Sequence, residues 1–379
     1  MKSKLLFSIS CLCFALTAGA APAPGTVRLL SGESYEGKLQ LVNNQIVVNG
    51  QQTGSTTVDL SNVLDAVFHG EHKAKADALP PGLRLINGTL IAGQVGPLES
   101  TSIKVGEISV LANTVAWVVY APIPRDSIPK PSPGQTGAVL PSGDFFPGTI
   151  GGVQDNRVAI NSVLFGPQRF TISAKGAKSQ ISALVMHDIQ ANAGRYEVIA
   201  KDGSTYRVDQ IGTDKDGISI RDSIIGEVKI KSDNLFEIHL SNTYYQYLTS
   251  VRPLQVTPPN GVDPATALQN QPATDKDPAA LLTLANTSVS YTVQQGFNVF
   301  SSSVSVPKDA PPGARFTFAV YGDGKFLLSR SSPASPSDNP QRVRVNTTNV
   351  RTITLRMEPA SPGFPAVSGK WAQPMFLKP

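Results

Sequence analysis

The chain has almost no cysteine. Cys11 and Cys13 are the two it carries, and both fall in an N-terminal stretch laid out as a secretory signal. Lys2 and Lys4 precede an apolar run from Leu5 to Leu16, and Ala18-Gly19-Ala20 forms a small-residue cleavage site. Neither cysteine follows the leucine-plus-small-residue pattern of a lipoprotein signal. With cleavage near Ala20, the mature protein is expected to lack thiols, which removes disulfides, thiolate-bound zinc and cysteine nucleophiles together. Long hydrophobic runs are also missing: the signal's apolar run falls short of the roughly 20 residues that cross a bilayer core, and no later stretch approaches a span. Charge is scarce at 16% of residues. The formal net charge of +5 becomes +3 once Lys2 and Lys4 are removed, and no basic cluster supports nucleic-acid binding. The expected location is secreted, periplasmic or at the cell surface.

What is there is glycine, proline and short β-branched segments. Thirty-two glycines and thirty prolines separate runs such as TVRLL, NQIVVNG, RVAINSV and GISIRD, which suit half-buried strands joined by turns. One phrase recurs four times: a strand, a polar residue, a glycine, and a second glycine five positions on. The copies are Leu30-Ser31-Gly32 with Gly37, Ile86-Asn87-Gly88 with Gly93, Pro141-Ser142-Gly143 with Gly148, and Lys201-Asp202-Gly203 with Val208 in the second glycine's place. The first glycines stand 56, 55 and 60 residues apart, a period of small domains rather than of a solenoid. Ser-Gly, Asn-Gly and Asp-Gly are hairpin-turn dipeptides. The second glycine falls where a strand must bend to close a small barrel.

Each copy ends on an apolar cadence: Leu60, Val63, Val67; Leu111, Val115, Val118; Ile181, Leu184, Met186; and Ile230, Leu235, Ile238. This spacing predicts a short helical turn running into a final strand. The whole pattern resembles tandem SH3-like or Sm-like small β-barrels, expected at residues 26–79, 80–123, 137–190 and 194–243 and acting mainly as spacers. Residues 124–136, within the proline-rich stretch Ala121 to Thr136, are expected to be a semi-rigid linker separating the second barrel from the third. Pro258 to Asp277 is polar and proline-rich and is expected to be a mobile loop.

From Tyr244 the texture changes. Tyr247-Leu248-Thr249-Ser250-Val251-Arg252-Pro253 opens the region, and Val289 to Val293, Gly296-Phe297 and Phe300 follow. Then come Phe316-Thr317-Phe318-Ala319-Val320-Tyr321-Gly322-Asp323-Gly324-Lys325, Val343 to Val345, Ile353 to Leu355, Trp371-Ala372 and Met375-Phe376-Leu377. In this order the segments resemble the NPCBM family, carbohydrate-binding modules often attached to glycoside hydrolases. The resemblance covers residues 244–379 and implies a galactose-binding-like, jelly-roll β-sandwich. Alternation in Arg315 to Val320 supports a sandwich independently. Family members usually carry a histidine ahead of the second strand and an acidic, histidine-containing phrase before the closing tryptophan. Here Leu281 to Asn286 and Val367 to Trp371 hold neither, so the fold could be kept while the sugar or Ca²⁺ site is lost.

The ligand-binding candidates are therefore Tyr244, Asp323, Lys325 and Trp371. Against each stands a structural alternative: Asp323-Gly324-Lys325 as a hairpin turn, Trp371 as core, and Tyr244 as the outward residue of a strand that buries Tyr245 and Tyr247. His69-Gly70-Glu71-His72 has metal-like residue types but sits in a charged connector, so no metal and no cofactor are expected. Gly32 to Gly37 imitates a nucleophile motif with the wrong spacing, and no paired-carboxylate or phosphate-loop arrangement occurs. The sequence thus points to an exported, non-catalytic, all-β protein. Its expected partners are a polysaccharide or cell-wall glycan; the alternative is a structural envelope scaffold that assembles with other proteins.

Overall fold

A computed structural model describes residues 22–50, 54–68, 78–98, 101–172, 180–190, 194–214, 217–272, 279–324, 326–360, 363 and 366–378. The expected signal at residues 1–20, the His69–His72 group and Lys325 lie outside them. The fold is all-β and its strand pairings are antiparallel.

Four consecutive segments repeat one pairing order, in which a closing strand pairs with the first, the first with the second, the second with the third and the third with the fourth. In repeat 1 the strands are Ala23–Leu29, Ser34–Val42, Gln45–Gly50, Gly54–Asp59 and the closing Val63–Phe68. Repeat 4 matches it with Tyr196–Ala200, Thr205–Asp214, Gly217–Asp222, Gly226–Ile230 and Leu235–Leu240. In repeats 2 and 3 the second strand is broken at its bend. Leu90–Ala92 leads into Val95–Leu98, and Phe145–Pro147 into Thr149–Gln154.

The second glycine of the repeat explains these bends. A Cβ on Gly37 would lie 2.5 Å from the Asn49 carbonyl oxygen, and one on Gly148 would lie 2.8 Å from that of Asn161. Only a residue without a side chain lets the folded-over strand pass so close. Where repeat 4 has Val208 instead, the register with the next strand shifts between Val208 and Gln210, so a bulge supplies the bend.

The apolar cadences do form short helical turns in three copies, at Leu60–Asn62, Ala112–Thr114 and Ser232–Asn234. The last residue of each turn accepts a hydrogen bond from the residue just after the first strand: Leu30 N–H to Asn62 O at 2.8 Å, Ile86 to Thr114 at 2.9 Å and Lys201 to Asn234 at 2.8 Å. Inside each repeat, alternate residues such as Leu39, Leu41, Ile46 and Val48 are buried, and this burial drives its closure.

The repeats do not hang separately. Closing strands pair across copies, with Trp117 opposite Val185 and Val118 opposite Leu184 joining repeats 2 and 3, and Ile238 opposite Ala66 and His239 opposite Asp65 joining repeats 4 and 1. Second strands meet where Leu90 pairs with Thr205, joining repeats 2 and 4. One sheet therefore runs through all four copies in the order 3, 2, 4, 1, and each junction covers strand edges that would otherwise expose unpaired backbone.

The stretch expected to separate repeats 2 and 3 instead folds back as a strap. Ile123–Pro124 pairs with Ala78–Leu79, and Ile123 and Ile128 pack around Trp117 and Val185. The reason is local: Trp117 and Val119 leave an apolar outer face that a polar linker would expose.

The C-terminal part is a two-sheet sandwich. One sheet runs Leu268–Gln271, Ala280–Leu284, Ser368–Leu377, Val299–Ser305, Gln341–Asn346, with Tyr245–Tyr247 also on the long strand. The other runs Gln255–Thr257, Ser288–Thr292, Thr352–Pro359, Phe316–Gly322, Phe326–Arg330. Trp371, Phe300, Phe318 and Phe376 fill the space between them. The stretch expected as a mobile loop contains a short helix, Pro264–Ala267, capped by Asp263, and the edge strand after it; burial of Ala267 fixes the turn.

Candidate functional site

The residues singled out in the sequence do not converge. Trp371 is fully buried, its ring edge-on to Phe318 at 5.2 Å and its Nε1–H donating to Thr283 Oγ1 at 3.2 Å, so no sugar can stack on it. Asp323 is exposed in a hairpin turn at φ 47, where Oδ1 accepts the Arg351 and Thr352 backbone N–H groups at 3.0 and 2.9 Å. The Thr352 N–H bond is the main cause holding its carboxyl below the usual aspartate range. This is the turn alternative, since both donors point at one oxygen from the adjoining strand.

Tyr244 does not stand free either. Its ring lies 5.5 Å from the Arg195 guanidinium of repeat 4, and Tyr244, Tyr245 and Tyr247 pack against the core that repeats 1 and 4 share. Met375 and Leu377 of the sandwich's long strand are buried in that same core, and Ser301 Oγ donates to Leu30 O of repeat 1 at 3.4 Å. The centre of one sheet of the sandwich is thus a dock on the repeats.

The other sheet is where polar and aromatic groups gather. Ser290, Thr354, Tyr321 and Leu327 stand opposite one another across four strands. Alternation turns them outward, because Val289, Leu355 and Val320 on the same strands are buried in the core. Ser290 Oγ lies 2.8 Å from Thr354 Oγ1. The Tyr321 hydroxyl donates to Glu358 Oε1 at 2.8 Å and accepts from Arg330 at 3.3 Å, and Arg330 also bonds Glu358 Oε2 at 2.8 Å. Arg356 approaches the same carboxylate at 3.7 Å. The hydrogen bond to Tyr321 is the main cause raising the Arg330 pKa, so its charge is fixed at any ordinary pH.

This arrangement offers an aromatic ring and the Leu327 methyls for apolar contact, flanked by two guanidinium groups and a carboxylate held in position. It can bind a polyhydroxylated ring: the C–H face rests on apolar surface while hydroxyls meet planar donors and acceptors. The sequence signal for it is the alternation of Tyr321 with Val320 and of Glu358 with Met357, which places both on the solvent side of their strands. Their meeting depends on strand pairing over 37 residues, which composition does not reveal.

A second polar group lies at the junction of repeats 1 and 4. Glu197 bonds Arg207 at 2.7 Å and His239 Nε2 at 2.9 Å, and Arg28 pairs with Asp65 at 2.8 Å on the same sheet face. These pairs satisfy one another, and their place under Tyr245 and Tyr247 makes them structural.

A two-sheet antiparallel sandwich with a polar, aromatic outer face is the class this part defines. Within it, the NPCBM/NEW2 domain family matches residues 279–377, so the chain carries an NPCBM/NEW2 domain there. Solved structures similar to the chain include carbohydrate-binding modules of very distant sequence. One is a CBM51 of GH95 from Clostridium perfringens in complex with methyl-galactose, at 15% identity and TM-score 0.30, covering 35% of this chain and 99% of that one. Another is the tandem CBM51 modules of Sp3GH98 from Streptococcus pneumoniae, at 14% identity and TM-score 0.31, with 50% and 72% covered. A third, from Clostridium perfringens ZmpB, joins an M60 catalytic domain to two CBM51 domains, at 12% identity and TM-score 0.31; it covers 94% of this chain, which spans 46% of that one. No curated protein matches the chain. Among the described residues no helix is long and apolar enough to cross a membrane.

Proposed function

We propose that this is an exported, non-catalytic glycan-binding protein. The outer face of its C-terminal sandwich takes the sugar, and four small barrels of the SH3-like kind serve as its spacers. The observation that carries the reading is the NPCBM/NEW2 domain at residues 279–377 together with the Tyr321, Arg330, Arg356 and Glu358 cluster on its free sheet. The centre of the sheet that docks on the repeats is covered around Met375 and Leu377, which favours the other sheet for recognition. Support for export comes from the signal-like N-terminal sequence, and support for a non-catalytic role from the mutual pairing of Glu197 with Arg207 and His239 and of Arg28 with Asp65.

A glycan array probed with the full chain tests the reading. Retention on a glycan class that falls at least about ten-fold, or about 1.4 kcal/mol, in Tyr321→Ala and Arg356→Ala supports it. Asp323→Ala should leave binding unchanged. Retention on no glycan sinks it in favour of the scaffold reading, whose specific support is the extensive docking of the sandwich on repeats 1 and 4.

A further inference from the structure

Repeats 3 and 4 carry the same loop in two different situations. In repeat 4 the third and fourth strands end with Asp222 opposite Gly226, and Ser223-Ile224-Ile225 forms the tip. In repeat 3 Ser162 stands opposite Gly166, and Val163-Leu164-Phe165 forms the tip. The two glycines adopt the same left-handed conformation, φ +76 and +69. The residue before each tip caps it alike: Asp222 Oδ1 accepts the Ile224 and Ile225 N–H groups at 2.7 and 3.1 Å, and Ser162 Oγ accepts those of Leu164 and Phe165 at 3.3 and 3.4 Å.

The repeat 4 loop is a fastener. Ile224 and Ile225 pack against the core shared by repeats 2 and 3, Ile225 also reaches the core of repeats 1 and 4, and Asp222 takes hydrogen bonds from Asn87 and Thr89 in the first turn of repeat 2. Beside it, the second strands of the two repeats pair at Leu90 and Thr205. In repeat 3 the same loop projects into solvent, with Val163, Leu164 and Phe165 at 101, 76 and 60% exposure and Phe165 stacked on Phe146. The matching strand edge, Phe145–Pro147, ends the long sheet, with no strand on its far side among the described residues. In repeat 1 it is the first turn, the counterpart of the Asn87-Gly88 turn, that is covered, since Gly32 faces Ser303 and Gln373 of the sandwich.

We propose that a second copy of this chain covers the repeat 3 loop and edge, giving a two-fold dimer in which each Val163–Phe165 tip seats against the first turn of the partner's repeat 3. The internal junction of repeats 2 and 4 is antiparallel and joins like strands, so its geometry relates two equivalent edges by a near-dyad. Two copies of one edge meet that condition with a true dyad, and the contact closes on itself. The turn it would meet offers Ser142 and Asp144, whose carboxylate can accept from the Ser162 hydroxyl as the Asp222 carboxylate accepts from Asn87 and Thr89. Ser127 of the strap lies 3.0 Å from where a Gly143 Cβ would stand, so the strap backs that turn. The inference is independent of whether the sandwich binds glycans.

Sedimentation equilibrium of the full chain from about 1 to about 100 µM tests it. The wild type should pass from one chain mass to two within that range, and Leu164→Glu with Phe165→Glu should hold it at one mass; at about 1 µM, where the wild type is also single, the variant's thermal unfolding should fall by no more than the lost Phe165–Phe146 stacking. Ile225→Glu, at the docked loop, should instead lower the unfolding temperature. A wild type that stays at one chain mass throughout overturns the proposal, whether or not the loop then holds to lipid vesicles or another protein. A double variant that still reaches two chain masses overturns it as well.

Discussion

At the scale of single residues, the charges between repeats 1 and 4 make stability depend on pH in a definable window. Burial alone would raise the Glu197 carboxyl, but the hydrogen bond and charge of His239, with Arg207, outweigh it and hold the group at about 2. Burial would lower His239, and the bond to Glu197 reverses that and raises it above its ordinary 6.5. A depressed carboxyl contributes stability above its unfolded value of 4.5 and loses it as pH falls toward 2. A raised imidazole contributes fully below 6.5 and loses its share as pH climbs through the folded value. Both shares coexist between 4.5 and 6.5, where the pair is worth on the order of 1–3 kcal/mol. Unfolding temperatures of wild type and His239→Gln should differ most near about pH 5.5 and converge as pH rises past neutrality. A pH-independent difference would assign His239 a packing role. Trp371 offers a second check: Trp371→Ala should cost about 3–5 kcal/mol in denaturant unfolding, since it opens the sandwich core and strands the Thr283 hydroxyl.

At the scale of elements, the decisive contacts are those that fasten one repeat to another. Asp222 is buried and bonds Asn87 and Thr89 across 135 and 133 residues of chain. Removing its carboxylate takes the acceptor from the buried Thr89 hydroxyl, leaves the Asn87 amide with Ser223 Oγ alone, and frees the Ile224 and Ile225 tip. Asp222→Ala should therefore destabilise the protein by about 2–4 kcal/mol. Hydrogen exchange should accelerate first at Leu90 and Thr205, where the two repeats pair. Uniform acceleration across all four repeats would instead mean that the junction and the repeats unfold as one.

This contact also marks how far the sequence can be read. Gly37, Gly93 and Gly148 announce bends because glycine there answers a local steric demand, and the cadence around Leu60 or Leu235 announces a turn and closing strand by spacing alone. Trp117 and Asp222 look like ordinary strand residues, since their partners come from other repeats and their pairing is decided by which edges remain open. The site was less legible for the same reason. Asp323 and Trp371 stood out as conspicuous residue types, while Tyr321, Glu358 and Arg330 are ordinary outward positions that become a cluster only when three strands align.

At the scale of the whole molecule, the two proposals combine into a prediction that neither makes alone. The sandwich docks through Met375 and Leu377 on repeats 1 and 4, at the far end of the sheet order from repeat 3, whose open edge is Phe145–Pro147. A dimer closed through repeat 3 would therefore carry its two sandwiches at opposite ends, with both Tyr321 faces free. Two weak sites on one rigid body engage a dense glycan surface together, and the second contact is made at an effective concentration far above the free one. Retention on immobilised polysaccharide should then fall about 100-fold in the Leu164→Glu, Phe165→Glu variant. Its affinity for a soluble monovalent sugar, read by calorimetry, should stay that of the wild type. Tyr321→Ala should lose both. If the loop variant lost soluble-sugar binding as well, repeat 3 would have to shape the sugar site directly, and the separation of a recognising sandwich from an assembling set of repeats would fail.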